Sequence, residues 1–202
     1  MSTPRLAVLV SGRGSNLGAI LEAAAAGALN LEPALVLSNV AGAPALERAR
    51  AAGVPTAVVS HRDHADRAAF EAALDAALDA AGARFIALAG FMRVLTAAFV
   101  DRHAGRLVNI HPSLLPAWPG LDTHARVLAA GERWHGASVH FVTAQVDGGP
   151  VIAQVRVPVL SGDTADALAA RVLAGEHRLY PAVLSWLGSG RLALRDGQVW
   201  MD

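Results

Sequence analysis

The chain contains no cysteine among its 202 residues. Disulfides, thiolate nucleophiles and cysteine metal sites are therefore excluded, while the compartment is left open. There is no excess of charge either: seventeen basic residues balance seventeen acidic ones, without a block of one sign. No polyanion-binding surface beyond a local pocket is expected, which argues against nucleic acid as a partner. No apolar run approaches the roughly 18 residues that span a bilayer, so no membrane association is expected. Met1-Ser2-Thr3-Pro4 leads straight into a short apolar stretch, with no basic leader or small-residue cleavage site, and a cytoplasmic location is expected. Two dinucleotide motifs are also missing. A Rossmann fingerprint would need glycine at Leu17 and an acidic residue near Ser38-Asn39, and no Gly-Lys-Ser/Thr marks a Walker loop.

What is present is core material: 53% of the residues are hydrophobic and 17% charged, in a length suited to one domain. No repeat, linker or shift of composition divides residues 1–202, which predicts a single domain. Apolar runs of strand length at 6–10, 34–38, 56–60, 85–89 and 106–110 alternate early in the chain with helical stretches at 17–26, 43–52 and 65–81. In the last of these Phe70, Leu74 and Leu78 recur every four residues as a core stripe. Residues 135–142 and 150–155 flank Asp147-Gly148-Gly149 and predict a hairpin with a short turn. A helix is expected from about 164, capped by Asp163 or Thr164, with Leu168, Val172, Leu179, Val183 and Leu187 along one side. A small terminal hairpin is expected about Asp196-Gly197. The pattern predicts an α/β fold: a mostly parallel twisted sheet with helices on both faces and an antiparallel edge.

Three stretches carry chemistry. Ser11-Gly12-Arg13-Gly14-Ser15-Asn16 joins a strand to a helix, with Ser15 and Asn16 able to cap the helix. It reads either as a phosphate site at a helix N-terminus or as a capped turn that binds nothing. Asn109-Ile110-His111-Pro112 ends a buried strand at its carboxyl end, where open α/β sheets bind ligands. Asn109 and His111 project from one face; an amide can donate to an oxyanion and an imidazole changes charge near neutral pH. Read alone, the pair also fits a turn cap and a structural histidine. Gly90-Phe91-Met92-Arg93-Val94-Leu95 either fills a gap or lines the pocket of an aromatic ligand. Asp147 reads first as a turn residue.

The string Asn109-Ile110-His111-Pro112-Ser113-Leu114-Leu115-Pro116 resembles the signature of the folate-dependent formyltransferases. The loop at 11–17 and His135-Gly136-Ala137-Ser138-Val139-His140-Phe141-Val142, leading into Asp147-Gly148-Gly149-Pro150, extend the resemblance over nearly the whole chain. It is similar to the branch of purine biosynthesis that passes the formyl group of 10-formyltetrahydrofolate to the amine of 5'-phosphoribosylglycinamide. That resemblance implies a formyltransferase fold with Asn109, His111 and Asp147 as catalytic groups. It implies that Gly14, Ser15, Asn16 and Glu176 hold the ribonucleotide, and that Met92, Arg93, Val94, Leu95, Asn109 and Arg67 bind the folate. Asn109 and protonated His111 would donate to the oxyanion, while Asp147 keeps His111 charged and moves a proton through water. No metal is required, and a monomer or homodimer is expected. At Asp122 many relatives have another residue. Two other classes remain: a hydrolase using the same trio on water, and a non-catalytic sugar-phosphate-binding domain, which needs the glycine loop but not the trio.

Overall fold

The computed structural model describes residues 3–202. Met1 and Ser2, where the expected leaderless start begins, lie outside the described residues. The chain runs β1 (Arg5–Val10), α1 (Ser15–Ala25), β2 (Glu32–Ser38), α2 (Pro44–Ala51), β3 (Thr56–Val58), α3 (Arg67–Ala80), β4 (Phe85–Leu88) and α4 (Ala97–Arg102). It continues with β5 (Leu107–His111), α5 (Thr123–Ala129), β6 (Trp134–Phe141), β7 (Val151–Pro158), α6 (Ala165–Gly188), β8 (Leu192–Arg195) and β9 (Gln198–Met201). Seven strands form one sheet in the order β3-β2-β1-β4-β5-β6-β7, and β8 pairs with β9 apart from it. The first five strands of that order are parallel; β6 runs antiparallel to both its neighbours. The mostly parallel sheet with an antiparallel edge is thus as the alternation predicts.

Strand pleating divides the core. Leu6, Val8 and Val10 face one side, against Leu17 and Ile20 of α1, Leu46 of α2 and Leu168, Val172, Tyr180 and Val183 of α6. Ala7 and Leu9 face the other, against the Phe70, Leu74 and Leu78 stripe of α3 and Phe99 of α4. The buried Tyr180 hydroxyl donates to the carbonyls of Leu88 and Val108, so α6 pins β4 and β5 together just before their carboxyl ends. Because the chain winds outward from β1 in one direction and from β4 in the other, the crevice between those two strand ends is the switch point of the sheet.

Two local expectations need correction, and a third is resolved. Ser15 and Asn16 are the first residues of α1 and not its caps; Gly14, with φ 70°, takes the cap position. The link from β6 to β7 is no tight turn but a loop over 142–150. Of the two caps considered for α6, Thr164 accepts from the Ala167 N–H, whereas Asp163 pairs with Arg171. Helix α4 carries no signal in the sequence, because six residues are too few for a 3.6-residue period to show.

Candidate active site

The loops leaving β1 and β4 are bound together. The Ser11 hydroxyl donates to Asn39 Oδ1 at 2.5 Å and accepts the Met92 N–H at 2.8 Å. Further along, the buried Glu71 of α3 accepts the N–H of Thr96 at 2.7 Å and also its hydroxyl, which fixes the far end of the loop carrying Met92–Leu95. Helix α3 and the end of β1 therefore hold this loop open to one side: Met92 and Val94 are exposed, while Leu95 is buried.

Gly14 has a specific reason to be glycine. Its φ is in the left-handed region, and a Cβ there would sit 2.6 Å from Ala45 Cβ. The side chain would therefore press on α2 and not fill the space in front of α1. Gly14→Ala is expected to cost about 2 kcal/mol in backbone strain and crowding, lowering Tm by roughly 4–8 °C. Thermal unfolding followed by circular dichroism checks this; an unchanged Tm would mean that α2 yields freely.

Asn16 turns away from its helix: its amide donates to Glu176 Oε2 on α6 at 2.6 Å, and its own Oδ1 is buried without a partner. Burial pushes the Glu176 carboxyl up, against the opposing pull of the Asn16 hydrogen bond. A carboxyl raised above its unfolded value contributes its full stability in acid and loses it as pH rises through the folded value. Glu176→Gln keeps an acceptor for Asn16 and removes that loss. Its Tm should match the wild type in acid and exceed it at higher pH; a difference independent of pH would exclude ionisation of Glu176 as the cause.

At the end of β5 the register places Asn109 opposite His140 and His111 opposite Ser138 of β6. His140 Nδ1 lies 2.9 Å from the Phe141 carbonyl, and because a carbonyl can only accept, Nδ1 carries the hydrogen. Burial lowers the pKa of His140, so the ring is neutral and its Nε2 accepts from the Asn109 amide at 3.2 Å. One Asn109 N–H is thereby held and the orientation of the amide is set. His111 Nε2 donates to the Trp118 carbonyl at 3.0 Å, and Nδ1 faces Asp147 Oδ2 at 3.4 Å, so an acceptor lies beside each ring nitrogen. Asp147 sits in the left-handed region at φ 52° and also accepts the Gly120 N–H at 2.9 Å. Behind this group His124 and His135 share a hydrogen bond of 3.0 Å, and burial pushes His135 down to about 4.

A cavity of about 770 Å³ joins these parts. Asn16, Met92, Arg93, Val94, Leu95, Asn109, His111, Asp147 and Glu176 all line it. Gly14 and Ser15 border it at the start of α1 without lining it, and Arg67 stands apart, exposed at the start of α3. His140, His124 and the Gly120 amide were not singled out from sequence. For His140 a signal existed: pairing the string 135–142 against 107–111 sets it across from Asn109.

A crevice at the switch point of a doubly wound sheet, with an amide, an imidazole and a carboxylate converging in it, defines an α/β enzyme acting on a small molecule. Comparison with known proteins makes the class specific. Residues 4–184 match the sequence profile described as formyl transferase. Over 197 residues the chain is 47% identical to phosphoribosylglycinamide formyltransferase of Escherichia coli K12, covering 98% of this chain and 93% of that one. The phosphoribosylglycinamide formyltransferase structure from Coxiella burnetii superposes with a TM-score of 0.96 at 47% identity, covering 100% of this chain and 94% of the other. Formyltetrahydrofolate deformylase from Burkholderia mallei aligns at 27% identity with a TM-score of 0.90, covering 100% of this chain and 70% of its own. The chain belongs to the formyl transferase family.

Proposed function

We propose that the protein transfers the formyl group of 10-formyltetrahydrofolate to the amine of 5'-phosphoribosylglycinamide, giving formylglycinamide ribonucleotide and tetrahydrofolate in purine (IMP) biosynthesis. The observation that carries this reading is the convergence of Asn109, His111 and Asp147 on the cavity that Asn16 and the Met92–Leu95 loop also line. The relatives named for that reaction, matched along almost their whole length, support it. We assign the phosphate to the backbone N–H groups at Gly14, Ser15 and Asn16, at the positive end of α1. Glu176, held by Asn16, faces the sugar. Met92, Arg93, Val94 and Leu95 receive the pterin, and Arg67 meets the folate tail where it leaves the cavity. The reaction belongs in the cytoplasm, with a single formyltransferase domain working as a monomer or homodimer.

In this mechanism the amine nitrogen attacks the formyl carbon and the carbonyl oxygen becomes an oxyanion. The free N–H of Asn109 donates to it, as a preorganised donor whose reorganisation has already been met in folding, while His111, with Nε2 on the Trp118 carbonyl and Nδ1 facing Asp147, orients the carboxylate. Asp147, at 3.4 Å from His111, takes the proton from the attacking nitrogen through water. When the intermediate collapses, the bond from carbon to folate N10 breaks, and a proton returns to N10.

A second reading, hydrolysis of the same donor by water, is favoured by the structural likeness to the deformylase. The anion site at α1 argues for an amine that carries a phosphate. Acceptor preference tests it: 5'-phosphoribosylglycinamide should be formylated far faster than the same compound without its phosphate, the difference lying in KM. Equal rates with the two acceptors would remove the phosphate site from the proposal.

A further inference from the structure

Loop 118–122 is bent in a way that needs support. Trp118 (φ 59°), Gly120 (φ 82°) and Asp122 (φ 56°) all occupy the left-handed region, and two of the three are not glycine. A bulky residue stays there only where its surroundings hold it. This loop also touches the reacting pair through its backbone, since Trp118 offers its carbonyl to His111 and Gly120 its N–H to Asp147.

Arg126, the fourth residue of α5, supplies the support. Its Nη1 donates to the Pro119 carbonyl at 2.7 Å and to the Leu121 carbonyl at 3.1 Å, and its guanidinium lies 5.3 Å from the centre of the Trp118 ring. Among the described residues it is the one donor to the Pro119 carbonyl, and it pairs with no carboxylate. The Pro119 carbonyl and the Gly120 N–H belong to a single planar peptide, with the C=O and N–H bonds pointing opposite ways. A guanidinium that fixes the oxygen of this peptide therefore fixes the direction of its N–H, which points at Asp147 Oδ2. Polarising the carbonyl also strengthens the N–H as a donor. We infer that Arg126 is a positioning residue for the formyl-transfer step, setting Asp147 against His111 through the peptide between Pro119 and Gly120. The inference rests on the reading of His111 and Asp147 as the reacting pair.

Arg126 is exposed, so its replacement leaves the core intact. Arg126→Met keeps an apolar stem without donors, and should lower kcat about ten- to a hundredfold, the scale of an ångström-level misplacement, with both KM values little changed. Arg126→Lys, which retains a charged donor, should recover part of that loss. The Gly120 amide proton, followed by NMR, should shift in Arg126→Met while Tm stays close to wild type. In an Asp147→Asn background, adding Arg126→Met should cost little more, because the residue it positions is already disabled. Wild-type kcat in Arg126→Met, beside an impaired Asp147→Asn, would overturn the inference and leave the reacting pair standing. Full multiplicative losses in the double variant would also overturn it, since Arg126 would then act independently of Asp147. A fully active Asp147→Asn would remove the reacting pair itself, and the role of Arg126 with it.

Discussion

Asn109→Ala is expected to lower turnover by about a hundred- to a thousandfold, the usual cost, about 2.7–4 kcal/mol, of removing one oxyanion donor. The geometry makes the amide a prepared donor. It projects from the middle of β5, between buried neighbours, and neutral His140 accepts one of its two N–H groups at 3.2 Å. Alanine removes both N–H groups and leaves His140 Nε2 without its donor, so some loss of stability accompanies the loss of rate. The loss of rate should fall on kcat, because the oxygen that Asn109 stabilises carries its full charge only in the intermediate. Steady-state kinetics with each substrate varied in turn separates the two contributions. A rise in KM with kcat intact would make Asn109 a binding residue alone.

Asp147→Asn is expected to reduce kcat by about 10²–10⁴, the range for losing a positioned acid or base. Asparagine keeps the size of the side chain, its tolerance of a positive φ, and an oxygen for the Gly120 N–H. What disappears is the charge beside His111 and the capacity to take a proton. Steady-state kinetics read the effect, and turnover equal to wild type would remove Asp147 from the chemistry.

Much of the fold is legible because it repeats. Apolar runs at a steady spacing announce the parallel strands, and the four-residue recurrence of Phe70, Leu74 and Leu78 announces the face that α3 buries. The hairpin of β6 and β7 is visible as two strands, but the loop between them is not, since Asp-Gly-Gly also suits a tight turn and Asp147 instead reaches across to another strand. The site is legible where chemistry and local order coincide, as in Asn109 and His111 two residues apart on one strand. It is illegible where the contact is long-range. Nothing near Glu176 announces Asn16, nothing near Glu71 announces Thr96, and Arg126 has no local mark that separates it from any solvated helix arginine. Gly14 shows a subtler limit: the sequence suggests room for an anion, whereas its backbone conformation and the approach of Ala45 are what demand glycine.

The most direct measurement follows the formyl carbon. 10-Formyltetrahydrofolate labelled with carbon-13 in the formyl group would be incubated with the enzyme, with and without 5'-phosphoribosylglycinamide, and the products read by NMR. The trio at Asn109, His111 and Asp147, set in a cavity that Asn16 also lines, predicts that the label passes to the amine as formylglycinamide ribonucleotide and that the donor persists when the amine is absent. Labelled formate released at the same rate in both samples would contradict transfer and make the protein a hydrolase.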